Sequence, residues 1–114
     1  MQVVYIAGPF RAKNSWDMEQ HIRRAEELAL QVWRLGCCAV ICPHTNTRFF
    51  QGAADDAIWL EGDLELLRRS DVVLMVRNWQ RSVGASKEYE LAKQLGRPVF
   101  TRFSDLEKHL FKKT

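Results

Sequence analysis

Short apolar runs alternate with longer amphipathic segments along this chain. Four runs are largely apolar and are bounded by Gly, Pro or polar residues, which predicts buried strands over residues 2–7, 37–42, 71–76 and 97–101. Between them, hydrophobic residues recur at helical spacing, and this predicts helices over residues 15–35, 56–69, 83–95 and, at the end of the chain, 104–111. The order of elements is therefore a repeated alternation of strand and helix.

Apolar strands that alternate with helices indicate a parallel sheet covered on both faces. Right-handed crossovers then predict one small doubly wound α/β domain over residues 1–114. It resembles flavodoxin or Rossmann folds and has four to five strands in the order 2-1-3-4, with helices on both faces. In such a sheet the winding reverses between the first and third strands, and ligands bind there, outside the carboxyl ends of the strands. The sequence thus predicts a binding site at residues 8–14 and 77–82.

Composition narrows the class of protein. The 114 residues are 46% hydrophobic and 27% charged, which is typical of one globular domain and not of a disordered chain. No run of about 18 apolar residues is present, which argues against a membrane span. The net charge of +3 suits an anionic small molecule and does not indicate a nucleic acid polymer.

Three cysteines lie close together at Cys37, Cys38 and Cys42. The start of the chain has neither the basic segment nor the cleavage site of a secretory leader, so we expect reduced thiols in a cytoplasmic protein. Their spacing with His44 matches no zinc pattern. We therefore expect small buried core residues at these positions, with no metal ion and no cofactor.

Two carboxylates fall on the apolar faces of consecutive predicted helices. Projected at 100° per residue, Glu88 lies in the middle of the hydrophobic arc of the third helix, and Asp63 lies within that of the second. A carboxylate that faces the sheet costs several kcal/mol unless it is paired. For Glu88 the alternatives are a structural ion pair or a rotated helix, and for Asp63 an edge position that reaches water. Converging carboxylates in an apolar cleft are what the cleavage of a glycosidic bond requires.

Other side chains with useful chemistry cluster near the predicted switch point. Glu88 lies in the first turns of its helix, where the positive helix end is expected to favour the ionised carboxylate that a nucleophile needs. Ser82 and Gly84 precede it and offer a hydroxyl and free amides to an anion, although Ser82 also suits a plain N-cap. Tyr5 ends near the switch point but suits a core aromatic equally, and Arg11 is either a phosphate ligand or a solvated loop residue.

The order and spacing of these segments resemble the nucleoside 2-deoxyribosyltransferase superfamily, over most of the chain from Val3 to Phe100. The similarity is greatest to a small branch with an Ile-Ala-Gly-Pro sequence, and it extends to the deoxynucleoside 5′-monophosphate N-glycosidases. The segments that carry it are YIAGPFR at 5–11, PHTNT at 43–47, GDLELL at 62–67, DVVL at 71–74 and SVGASKEYELA at 82–92.

The resemblance implies roles for individual residues. Glu88 matches the glutamate that attacks the anomeric carbon, Asp63 the acid that assists near the base, and Tyr5 the tyrosine that orients the nucleophile. Substrate contacts are implied at Gly8, Arg11, His44, Asn46, Ser82 and Gly84, of which Arg11 and Ser82 match phosphate contacts.

The first loop departs from the Gly-Ser-x-Arg pattern of the monophosphate hydrolases. Pro9 stands where they have serine and offers neither a hydroxyl nor an amide to a phosphate. The loop over residues 44–50 also differs, and Phe49 or Phe50 either stacks on a base or packs as a lid. The base and the need for a 5′-phosphate stay open.

We therefore expect an enzyme that cleaves or transfers at the N-glycosidic bond of a (deoxy)nucleoside or its 5′-monophosphate. Glu88 would form a glycosyl-enzyme ester, which water or a second base resolves. Two alternatives remain: a nucleotide-binding or sensing module without catalysis, and a hydrolase of an NAD-like dinucleotide. The resemblance also implies a homodimer or a higher homo-oligomer.

Overall fold

In the computed structural model, which describes residues 1–112, the four predicted strands form one parallel sheet. The strands are β1 (Gln2–Ala7), β2 (Cys38–Ile41), β3 (Val72–Met75) and β4 (Val99–Phe100). Their order is β2-β1-β3-β4, and every neighbouring pair is parallel. The prediction of a doubly wound α/β sheet in the order 2-1-3-4 is therefore confirmed.

Five α-helices and one short 3-10 helix accompany these strands within residues 1–112, and the last helix follows β4. They are α1 (Ser15–Trp33), α2 (Pro43–Asn46), α3 (Asp56–Arg68), α4 (Val83–Gln94), α5 (Phe103–Lys112) and the 3-10 helix Trp79–Arg81. Helix α2 and the 3-10 helix lie in segments that the sequence predicted as loops. Both are too short for hydrophobic periodicity to reveal them. None of the helices in the described part is long and apolar enough to cross a membrane.

The two faces of the sheet carry separate hydrophobic cores. In β1, Val4 and Ile6 pack on one face with α1 and α5, whereas Tyr5 and Ala7 pack on the other face with α3 and α4. Successive residues of a strand point to opposite faces, so a strand that is apolar throughout requires cover on both sides. Cys38 and Cys42 belong to the first core, as expected, and the three cysteines are free thiols.

Helix α3 is less deeply packed than its sequence pattern suggests. Leu67 is its one buried residue, and Ile58 in its first turns is 56% exposed. Helix α4, in contrast, buries Ala85, Glu88 and Ala92 against the sheet. The helix that carries Glu88 is therefore the more firmly seated of the two helices that bear the candidate carboxylates.

Candidate active site

A cleft of about 810 Å³ opens at the carboxyl ends of β1 and β3. The loop after β1 lines it through Gly8 and Arg11, and the loop after β3 lines it through Arg77 and Asn78. Both strands are central and adjacent in the sheet, and their connections leave in opposite directions. The cleft therefore lies at the switch point that the strand order predicts.

Glu88 projects from α4 towards the sheet and lines this cleft. Its side chain is only 7% exposed, so the inward position predicted from the helical arc is confirmed. It forms no salt bridge with any residue in the described part of the chain. Its partner is instead the hydroxyl of Tyr5, which donates a hydrogen bond to Oε2 of Glu88. A structural ion pair does not account for this buried acid.

Burial raises the pKa of Glu88 from 4.5 to about 8. The hydrogen bond from Tyr5 acts in the opposite direction, and the nearby charge of Asp63 adds to the increase. The helix start, which was expected to favour the ionised form of Glu88, does not offset this desolvation. Desolvation of a buried carboxylate costs several kcal/mol, whereas a helix end contributes about 0.3–2 kcal/mol.

Asp63 lies half-buried on α3 and lines the same cleft. Burial raises its pKa from 3.8 to about 6. Asp63 therefore shares the cleft with Glu88, as the two arcs predicted, and its intermediate exposure also lets it reach water. Between about pH 6 and pH 8 Glu88 therefore keeps its proton, whereas Asp63 has released its own.

Tyr5 is fully buried on the α4 side of β1. Burial and the neighbouring Glu88 raise the pKa of its phenol well above 10, so it stays a hydrogen-bond donor at neutral pH. Both interpretations of this residue hold in part, because the ring is a core aromatic and its hydroxyl holds the carboxylate of Glu88. Tyr5 is placed to orient that carboxylate.

The loop after β1 is held close to β3 and to α2. A Cβ atom at Gly8 would lie 2.5 Å from Cβ of Val76, so only glycine fits against that side chain. His44 is buried, and its Nε2 lies 2.9 Å from the carbonyl oxygen of Pro9. Burial lowers the pKa of His44, and a neutral ring donates from Nε2 to this carbonyl. Gly8 and His44 line the cleft, and both also fix the path of the loop.

Arg11 and Ser82, the two predicted phosphate ligands, both line the cleft and both have protein partners. Arg11 forms an ion pair with Asp56 at the start of α3. The hydroxyl of Ser82 accepts a hydrogen bond from the amide of Ala85 at 3.1 Å, which makes Ser82 the N-cap of α4. Gly84, in the first turn of that helix, lines the cleft as well.

Asn46 and the two phenylalanines lie away from the cleft wall. Asn46 is exposed at the end of α2 and does not line the cleft, so its contact with substrate stays a prediction without geometric support. Phe49 is 86% exposed, and Phe50 packs against Trp59 with ring centroids 5.9 Å apart. Trp59 itself lines the cleft.

Cationic residues that the sequence analysis did not single out also line the cleft. They are Arg24 on α1, Arg77 and Arg81 after β3, and Lys87 on α4. Arg77 and Arg81 fall within residues 77–82, which the strand order had already identified as part of the site, so the sequence could have indicated these two. Arg24 lies on the outer face of an ordinary amphipathic helix, where a cation gives no signal in the sequence. Among the described residues, no group of three or more His, Cys, Asp or Glu side chains is placed to hold a metal ion.

A solved structure shares this architecture. A 2-deoxyribosyltransferase from Bacillus psychrosaccharolyticus superposes with a TM-score of 0.59 over 85% of this chain and 69% of that one, at 20% sequence identity. At that identity the similarity shows a common nucleoside 2-deoxyribosyltransferase-like fold. A comparison with curated protein sequences finds no significant match.

A family model also matches the sequence over residues 2–101, from β1 to the residue after β4. The match includes both candidate carboxylates, Tyr5 and the loops that form the cleft. The chain therefore belongs to the family described as Domain of unknown function (DUF4406).

Proposed function

We propose that this protein cleaves or transfers at the N-glycosidic bond of a (deoxy)nucleoside or its 5′-monophosphate. The observation that carries this function is the hydrogen bond from Tyr5 to Glu88, a buried carboxylate without a cationic partner at the wall of a cleft that Asp63 shares. The nucleoside 2-deoxyribosyltransferase-like fold supports the same reaction class.

Each group has a defined part in the reaction. An ionised oxygen of Glu88 attacks the anomeric carbon, and the bond from that carbon to the base nitrogen breaks with its electron pair going to the base. Asp63 gives its proton to the departing base, and a glycosyl-enzyme ester remains. Water or a second base then attacks the same carbon and releases Glu88, with Asp63 accepting the proton of the incoming group.

Between about pH 6 and pH 8 the proton lies mainly on Glu88, and the reaction starts from the form in which it lies on Asp63 instead. The reactive form has Glu88 ionised and Asp63 protonated, and it is one of the two forms that carry a single proton. The Tyr5 hydroxyl favours that form, because its hydrogen bond stabilises the ionised Glu88. A cationic sugar in the transition state would favour it further, since the carboxylate then faces a positive charge.

A 5′-phosphate would lie beside Arg11 and the start of α4. Gly84, in the first turn after the N-cap Ser82, presents a backbone amide there, and Arg11 supplies the charge. Pro9 contributes no donor, so a phosphate at this place depends on these groups. A monophosphate is then the preferred substrate, and its nucleoside is a poorer one.

Self-association belongs to the same function. The resemblance implies a homodimer or a higher homo-oligomer, and the incomplete burial of α3, with Ile58 56% exposed, fits a surface that a second copy covers. Size-exclusion chromatography with light scattering tests this directly, and a monomer at micromolar concentration contradicts it.

A chromatographic screen tests the activity. The purified protein is incubated with nucleosides, their 5′-monophosphates and NAD, and free base or nicotinamide is quantified. We expect base release from at least one nucleoside or monophosphate. Release of nicotinamide alone would identify a dinucleotide hydrolase, and binding without release from any compound would identify a sensing module.

The variant Glu88→Gln assigns the nucleophile. It keeps the size of the side chain and an acceptor for Tyr5 but cannot attack, so we expect base release to be lost. Glu90→Gln is the matched control, because Glu90 is exposed on the same helix and does not line the cleft. Turnover by Glu88→Gln at the wild-type rate on a verified substrate would overturn the mechanism.

A further inference from the structure

Three polar side chains form a bridge at the wall of the cleft. Nη2 of Arg11 pairs with Oδ2 of Asp56, and Nε2 of Gln51 donates to Oδ1 of Asp56 at 3.4 Å. All three residues line the cleft. The bridge joins the loop after β1 to the first residue of α3 and to the segment that precedes this helix. Both carboxylate oxygens of Asp56 are therefore engaged by cleft residues.

Arg11 differs from the other cations of the cleft in having a carboxylate partner. Arg24, Arg77, Arg81 and Lys87 line the cleft without an ion pair to any described residue. With Arg11 they give five positive charges against the three carboxylates Asp56, Asp63 and Glu88. Two of those carboxylates belong to the reaction centre, which leaves Asp56 as the acid that offsets the cationic lining.

We propose that Asp56 is a displaceable counter-anion that determines how strongly the cleft selects an anionic substrate. This role rests on the proposed function, in which Arg11 receives a 5′-phosphate. The side chains of Arg11 and Asp56 are 61% and 46% exposed, and exposed ion pairs contribute little to stability. A phosphate, which bonds an arginine at two points, can therefore take the place of Asp56.

Displacement leaves a negative charge next to the phosphate. Like charges at contact distance repel, so Asp56 lowers the affinity for a monophosphate both by competing for Arg11 and by repelling the ligand. A neutral nucleoside meets neither cost. Asp56 thereby keeps the difference in affinity between a nucleotide and its nucleoside smaller than Arg11 alone would make it.

Calorimetric binding in a Glu88→Gln background, which prevents turnover, measures this effect. The ligands are the four common deoxynucleosides, their 5′-monophosphates and inorganic phosphate. The variants are Asp56→Asn, Arg11→Gln and the two combined. Asp55→Asn is the matched control, because Asp55 is the exposed neighbour of Asp56, does not line the cleft and makes no capping bond with its side chain.

We expect Asp56→Asn to tighten monophosphate binding by about 3- to 10-fold and to leave nucleoside binding unchanged. The gain should disappear when Arg11→Gln is also present, and Asp55→Asn should produce none. An unchanged or weaker affinity in Asp56→Asn overturns the role. An equal gain in monophosphate affinity when Arg11→Gln is also present would overturn it too, because the gain would then be a general effect of charge.

Failure of the proposed function gives a different result. In that case no nucleoside or monophosphate binds, and inorganic phosphate becomes the deciding ligand. Tighter phosphate binding in Asp56→Asn that depends on Arg11 would uphold the counter-anion while the nucleoside function fails. No gain with phosphate would reject both.

Discussion

Replacing Glu88 by glutamine should change how the stability of this protein depends on pH. Below about pH 4.5 the carboxyl of Glu88 is protonated in both the folded and the unfolded chain, so its burial costs little. As the pH rises, the unfolded chain releases this proton at the ordinary pKa, whereas the folded chain keeps it up to about pH 8. Wild-type stability should therefore fall over this interval.

The magnitude follows from the pKa of the buried group. A change from 4.5 to about 8, at 1.36 kcal/mol for each pKa unit, corresponds to about 5 kcal/mol over the whole titration. Between about pH 5 and pH 8 the expected loss is about 3 kcal/mol. For a domain of this size that is a decrease of roughly 10–20 °C in Tm. Glutamine does not titrate, so Glu88→Gln should lack this component.

Thermal unfolding of the two proteins, followed by circular dichroism from about pH 5 to pH 8, isolates the contribution of Glu88. Titration of Asp63 and of the surface groups is common to both proteins and largely cancels in their difference. The variant should have the higher Tm at pH 8, and the advantage should shrink towards pH 5. Glu90→Gln changes an exposed acid on the same helix and should follow the wild type.

Parallel curves for the wild type and Glu88→Gln would refute this reasoning. They would mean that Glu88 is hydrated in the folded protein and that the pair with Tyr5 is open to water. The loss of activity in the same variant would then still identify a nucleophile, but one that titrates near its ordinary pKa.

Three further predictions concern the same cleft. The rate of base release should follow a bell-shaped pH profile with apparent pKa values near 6 and 8, because activity needs one carboxylate and one carboxylic acid; a rate that is flat from pH 5 to pH 9 contradicts this. Asp63→Asn should lower turnover of natural nucleosides by about 10²–10⁴-fold and that of a nitrophenyl glycoside much less, whereas equal modest losses together with a lower Tm would make Asp63 structural. Gly8→Ala should destabilise the fold by about 1–3 kcal/mol in urea unfolding, since the new Cβ meets Val76, and adding Val76→Ala should recover part of the loss if that contact is the cause.

The pattern of the sequence was sufficient for the fold and for the location of the cleft. Four apolar runs separated by amphipathic helices allow few right-handed arrangements, and the order 2-1-3-4 brings the ends of β1 and β3 together. Helical spacing likewise placed Glu88 on the buried face of α4, because an arc of apolar neighbours defines which side of a helix faces the sheet.

Tertiary structure decided the partners and the charge of the site residues. Periodicity gives the direction of a side chain but not the depth of its burial. The sequence therefore could not show that desolvation of Glu88 exceeds the effect of the helix end and raises the pKa of this residue. The contact of Tyr5 with Glu88 joins residues that are 83 positions apart, and the pair of Arg11 with Asp56 joins a loop to a distant helix. Local sequence carries no information about such contacts, because they arise only where parallel strands bring their following loops to one edge of the sheet.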